Sequence, residues 1–172
     1  MTQRTEFGFV RTSCDCRRCS ISCEHVPGAL APADLPRMAK HLGYGDDMAT
    51  FARENLLASE GVEVTTDRGQ AVRLRTLVPA TLENGQCKFL QDGRCSIHAV
   101  SPFGCAFIDA HQSDTEFALR SDALYRALYD DMNAQGKYVQ TWEDLHRHDL
   151  RPAPLADRSA TLQSAMRQEG LL

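Results

Sequence analysis

Four cysteines fall within ten residues, in the run Cys14-Asp15-Cys16-Arg17-Arg18-Cys19-Ser20-Ile21-Ser22-Cys23. One, two and three residues separate successive thiols, which is too crowded for independent core cysteines. The remaining three, Cys87, Cys95 and Cys105, form a second patch more than sixty residues downstream, and no cysteine lies outside the two groups. Thiolate sulfur is a soft donor that favours zinc and iron–sulfur clusters, and coordination removes its proton. Cys16 and Cys19 have the C-x2-C spacing that lets two sulfurs reach one metal from a tight turn. Cys19 and Cys23 stand one helical turn apart and share a face if a helix begins near Arg17. Arg17 and Arg18 would then offset the negative charge of a thiolate-rich site. We expect the chain to fold so that the patches meet around metal, with Cys14, Cys16, Cys19, Cys23, Cys87, Cys95 and Cys105 as candidate ligands. The spacing leaves open one four-thiolate site with spare thiols, a cluster with a separate zinc, or a polynuclear site using nearly all seven.

The competing reading is that these are buried structural thiols. Clustering argues against it for the first patch; taken singly, Cys87 and Cys95 would also serve as small apolar residues on neighbouring strands. Nitrogen or oxygen can complete a shell that lacks a thiolate, and His25, His98, Asp109 and His111 lie near the patches in sequence. His98 is the preferred non-cysteine ligand. His146 and His148, two apart on a helical stretch, point to different sides and read as surface residues. Asp130 and Asp131 read as a solvated helix face.

Hydrophobic residues make up 42% of the 172 and charged residues 24%, an ordinary globular balance that excludes disordered and collagen-like classes. A net charge of −4 argues against a general nucleic-acid binder. Residues 1–10 carry Arg4 and Glu6 with no apolar run of signal-peptide length, and no segment approaches a membrane span. A cytoplasmic location is therefore expected, where a reducing compartment leaves thiols free for metal. An odd number of cysteines points the same way.

The elements that must position these thiols are short. A strand over residues 7–12 would lead into the first patch. A turn follows at 24–28, then a helix capped by Asp34 with Leu35, Met38, Ala39 and Leu42 at helical spacing and Gly43 and Gly45 ending it. Residues 46–59 predict a second helix capped by Asp46 or Asp47. The period then changes to two over 61–78, with a turn at Asp67-Arg68-Gly69-Gln70 and Pro79 closing the hairpin. Asp92-Gly93 marks another hairpin, presenting Cys87 and Cys95, and Cys105 falls on a turn or at a helix start. Residues 114–132 predict a long helix ended near Gly136, with a further helical turn or more at 142–147. The segment 151–154 reads as a linker and 159–169 as an amphipathic tail. The whole predicts an α+β chain: a small irregular metal-centred domain of short helices and β-hairpins over 1–112, and a helical C-terminal extension over 113–172 packed on it.

Several of these motifs recur together in a known family. Cys16-x2-Cys19-x3-Cys23, then Ala31-Pro32-Ala33-Asp34-Leu35, Cys87-Lys88-Phe89-Leu90, Cys95-Ser96-Ile97-His98 and Ser101-Pro102-Phe103-Gly104-Cys105 follow one another in order. Over roughly residues 12–109 the chain resembles the zinc- or iron-chelating cysteine-cluster domain proteins, a group that includes flagellin lysine N-methylase. It departs from them in Ser22, which stands where the first cysteine of an adjacent pair is usual, in the additional Cys14, and in Ser101, which stands where an arginine precedes the proline. The resemblance implies a metal or iron–sulfur domain of small mixed α and β structure. Three functions follow as expectations: a metal-binding protein with an iron–sulfur cluster or zinc in a redox or structural role; a cluster-dependent protein-modifying enzyme, by the methylase resemblance; and a zinc-stapled module whose C-terminal helices dock a protein partner.

Overall fold

The computed structural model describes residues 8–11, 14, 16–148 and 158–171. Among these the helices are α1 (Arg17–His25), α2 (Asp34–His41), α3 (Met48–Asn55), α4 (Phe103–Ala106), α5 (Asp114–Asn133), α6 (Lys137–His148) and α7 (Arg158–Gln168). The strands are β1 (Leu56–Thr65), β2 (Ala71–Pro79), β3 (Leu90–Gln91) and β4 (Arg94–Cys95), so the class is α+β. Among the described residues no helix is long and apolar enough to cross a membrane.

The alternating pattern after residue 60 becomes the antiparallel pair β1–β2, whose register runs from Leu56 opposite Pro79 to Thr65 opposite Ala71. The pair begins earlier than its alternation suggests. Leu56 to Ser59, expected at the end of the preceding helix, are strand instead, because their partners Thr76 to Pro79 are among the most buried residues of β2. Pairing beside a core outweighs local helix propensity. Helix α3 accordingly stops at Asn55, and it starts as expected, with the Asp47 carboxylate accepting the Thr50 N–H at 3.1 Å. A register shift between Ser59 and Val62 bends the hairpin, and the Trp142 indole N–H donates to the Ser59 carbonyl there at 2.7 Å. This anchors α6 across the sheet. Helix α6 runs from Lys137, longer than its sequence pattern indicates, and Asp131 accepts the Val139 N–H at its first turn at 2.9 Å. Asp131 is therefore a helix-end acceptor and not a merely solvated charge.

One core gathers residues from almost every element: Leu35 and Met38 of α2, Phe51 of α3, Leu74 and Leu77 of β2, Phe103 of α4, Leu124 and Leu128 of α5, and Tyr138 of α6. Tyr138 is 2% exposed, so its hydroxyl needs partners inside the protein. It donates to the Leu30 carbonyl at 2.8 Å and accepts the Leu77 N–H at 2.7 Å. With Leu30 N–H on the Leu77 carbonyl at 2.9 Å, three segments distant in sequence are tied at one point.

Asp34 differs from its expected role. It is the first residue of α2 and fully buried, and the residue before the helix is Ala33. Its carboxylate accepts the N–H of Ala31 and the N–H of Phe103, each at 2.7 Å, and pairs with Arg37. The second contact joins α2 to α4, the helix that carries Cys105.

Helix α7, close to the predicted 159–169, packs on α1. Ile21 is buried against Ala165 and Met166, and Arg17 bridges Glu24 and Glu169. The Arg17 guanidinium is thus engaged by two carboxylates and is not a free counter-charge for thiolates. Of the strand expected at 7–12, residues 8–11 are not in a strand, and Phe7 and Thr12 lie outside the described residues, as does the 151–154 linker.

Candidate metal centre

Helix α1 starts at Arg17, which meets the condition for Cys19 and Cys23 to share a face, and Cys16 is its capping residue in extended conformation. The Cys16 carbonyl accepts the N–H of Cys19 and of Ser20, both at 3.0 Å, which closes the C-x2-C turn. This places the first thiols at the positive end of the helix dipole, where thiolate is favoured. Arg120, on α5, donates to the Val10 carbonyl at 3.1 Å and to the Phe107 carbonyl at 2.9 Å, and lies over the Phe9 ring. Arg11 donates to the Ser101 hydroxyl at 2.8 Å. The segment preceding Cys14 is thereby fixed beside the chain that follows Cys105.

The result is a compact donor set. The ligand atoms of Cys14, Cys16, Cys19 and His111 all lie within 4.8 Å of one another. Cys16 Sγ and His111 Nε2 are 3.2 Å apart, and Asp109 accepts the His111 backbone N–H at 2.8 Å, which shapes the loop presenting the ring. Three thiols and an imidazole are a recurrent zinc shell, and a tetrahedral ion with Zn–S of about 2.3 Å separates its sulfurs by about 3.8 Å. The mutual spread of these donors, at most 4.8 Å, is of the same order as that separation.

The thiols already behave unequally. His111, then the Cys19 N–H, lower the Cys16 thiol to about 6. Burial, reinforced by Cys14 and Cys16 and opposed by the Ala110 N–H, pushes Cys19 up to about 12. One anion in the group makes a second costly. A cation would reverse that order by favouring every thiolate at once.

The other four cysteines lie outside this donor set, and Cys87 alone of the seven is buried. The Cys87 N–H donates to the Cys23 carbonyl at 2.7 Å, joining the second patch to the end of α1. Cys95 ends β4, facing Leu90 across the two-residue turn Asp92-Gly93, where φ is +49° and +73°. Both turn residues are thus left-handed, the geometry that the Asp-Gly pair predicts. Cys105 is set by a close crossing of backbones: a Cβ on Gly28 would stand 2.3 Å from the Gly104 carbonyl carbon, and one on Gly104 would stand 2.6 Å from the Ala29 nitrogen. Only paired glycines let the chains touch there. Gly104 N–H donates to the Ala29 carbonyl at 2.9 Å, and Cys105 Sγ lies 3.9 Å from the Gly28 carbonyl. Burial raises all four thiols: Cys23 by burial and then Cys95, Cys87 to about 11, Cys95 by burial against the lowering effects of the Ile97 N–H and then Arg11, and Cys105 well above the ordinary range, by burial and then Cys23, Cys87 and Cys95.

The two patches therefore meet. A cavity of about 470 Å3 is lined by Cys14, Cys19 and Cys23 from the first and by Cys95 and Cys105 from the second. Cys19 and Cys23 both face it, as their one-turn separation on α1 predicts. Comparison with family models, curated proteins and solved structures finds no match for this chain. The site's chemistry consequently rests on its own donors.

Of the candidate non-cysteine ligands, His111 takes the place expected for His98. His98 lies in a 3-10 turn, His98–Val100, and lines the cavity. Its proximity in sequence to Cys95 favoured it; the loop after Cys105, which folds back over the start of α1, carries His111 to the thiols. Asp109 lines the cavity and His25 is exposed at the end of α1. His146 and His148 are exposed, and His146 stacks on Trp142. No local signal distinguishes His111 from its neighbours: only the return of the chain does.

Proposed function

We propose that this is a metal-binding protein whose cysteine patches hold soft metal, zinc or an iron–sulfur cluster, in a structural or redox role. The observation that carries the reading is the convergence of Cys14, Cys16, Cys19 and His111 within 4.8 Å. Such a shell suits a single tetrahedral ion, with zinc as the first choice for three thiolates and an imidazole. Metal would also contribute to folding, since binding replaces the mutual repulsion of close thiolates with bonds to a shared cation. The resemblance to the zinc- or iron-chelating cysteine-cluster domains supports the same class of chemistry.

Anaerobic purification followed by zinc, iron and sulfide analysis tests it, with Cys16→Ser alongside. Stoichiometric metal in the wild type and less in the variant is expected. A wild-type protein without metal, unable to take up zinc or iron on addition, contradicts the proposal.

A further inference from the structure

We infer that metal at Cys14, Cys16, Cys19 and His111 is a latch: it holds a separate two-helix unit, α1 with α7, against the rest of the molecule. The inference rests on the proposed metal-binding reading and adds what occupancy of that site controls, the docking of the C-terminal helix.

Three observations carry it. First, among the described residues α1 and α7 have an apolar cluster of their own. Ile21 is buried with Ala165 and Met166, flanked by Leu162 and Leu171, and none of these five belongs to the main core. Among the helices and strands, each of the two is the other's principal neighbour. Second, the pair is too small to stand by itself. Helix α1 has nine residues and α7 eleven, both short of the ~12–15 at which an isolated helix becomes stable in water. Three buried side chains and the surface pair of Arg17 with Glu169 add little to that.

Third, the donors straddle the boundary. Cys16 and Cys19 stand at the cap and in the first turn of α1, and Cys14 just before them. His111 belongs instead to the loop between α4 and α5, whose helices enter the main core through Phe103 and Leu124. An ion bound by all four therefore ties the start of α1 to the main core. The other end of α1 is held already: Cys23 packs on that core, and its carbonyl accepts the Cys87 N–H at 2.7 Å. Opening pivots near Cys23 and frees the first turns of α1, and α7 leaves with Ile21.

An ion that binds only the closed arrangement suppresses this opening by mass action. The suppression reaches both helices alike, because α7 has no other neighbour of comparable extent. By reciprocity, loosening α7 weakens the ion's hold, although none of the four donors lies on α7.

The test is amide hydrogen exchange of the full wild-type chain, metal-free and with zinc, resolved to peptides. In metal-free protein Arg17–His25 and Arg158–Gln168 should exchange faster than β2 and α5, which marks a local opening. Zinc should slow both helices by one shared factor, about 100-fold at about 100 times its dissociation constant. Slowing of α1 with α7 unchanged, or metal-free exchange of both helices no faster than β2 and α5, overturns the latch and leaves the proposed function standing. No zinc binding by the wild type removes both. Met166→Asp supplies a second reading, since Met166 lies outside the main core and the variant should keep the protection of β2 and α5. Its zinc affinity, by chelator competition, should fall about fivefold or more. An affinity equal to wild type overturns the coupling.

Discussion

The outer and inner cysteine groups are built in opposite ways. Cys14, Cys16 and Cys19 are neighbours because the sequence places them so, around the capping residue of α1, and a single distant residue, His111, joins them. Cys23, Cys87, Cys95 and Cys105 are neighbours only because α1, the β3–β4 turn and α4 are clamped by Asp34, the Gly28–Gly104 crossing and the Cys87–Cys23 backbone bond. The first group includes the exposed Cys14 and a thiol lowered to about 6; the second includes the buried Cys87, and every thiol in it is raised. Local spacing therefore assembles the first group, and tertiary structure the second.

The largest effect expected is from Asp34→Ala. Removing a buried carboxylate that holds two backbone N–H groups and Arg37 should cost about 3–5 kcal/mol. Urea unfolding measures the loss. In metal-free protein the variant should also expose Cys105 to alkylation while leaving the rate at Cys16 unchanged; equal acceleration at both would erase the distinction between the groups.

Tyr138→Phe should follow, at about 1–3 kcal/mol, because it leaves the Leu77 N–H and the Leu30 carbonyl without the hydroxyl between them. The same unfolding measurement checks it, and labelling at Cys16 should again be unaffected.

A third prediction sharpens the contrast by pH. Thiolate is the nucleophile, so alkylation of Cys16 in metal-free protein should rise with pH through about 6 and level off above it. Because its folded value is depressed, the stabilisation from that thiolate is present above 9.0, its ordinary value, and is lost as pH falls through about 6. Cys87, at about 11, and the more strongly raised Cys105 should stay unreactive at pH 8 until the chain unfolds. His111→Ala should move the Cys16 midpoint up toward 9.0. A midpoint unchanged by this substitution would separate Cys16 from His111.

The smallest effect belongs to Arg17→Ala. Its pairs with Glu24 and Glu169 lie at the surface, where screening leaves them little net value. A melting temperature close to wild type and unchanged metal content are expected, with Ile21 still holding α7 through Ala165 and Met166.

Much of this was legible in the chain itself. The α+β class, the Asp92-Gly93 turn and a cap at Asp46 or Asp47, which the structure narrows to Asp47, follow from local chemistry. What escaped were features that depend on a partner far away in sequence. Leu56 and Leu57 have the composition of a helix end, and only the buried face of β2 makes them strand. Asp34 looks like a cap until Phe103 arrives to share it. His98 outranked His111 on nearness to Cys95, a criterion blind to the loop that returns to α1. Nothing in one cysteine's neighbours indicates whether it joins the close donor set: Cys19 and Cys23 are one turn apart and line the same cavity, yet only Cys19 lies within 4.8 Å of Cys14, Cys16 and His111.

The most direct test of the central claim is the zinc affinity of the wild-type chain beside His111→Ala, by competition with a chromophoric chelator. Even a residue behind the ligands is worth about 10–100-fold in metal affinity. As a ligand, His111 should account for at least about tenfold, and that loss is the predicted result. Equal affinity in the two proteins, or no zinc binding by either, would contradict the account.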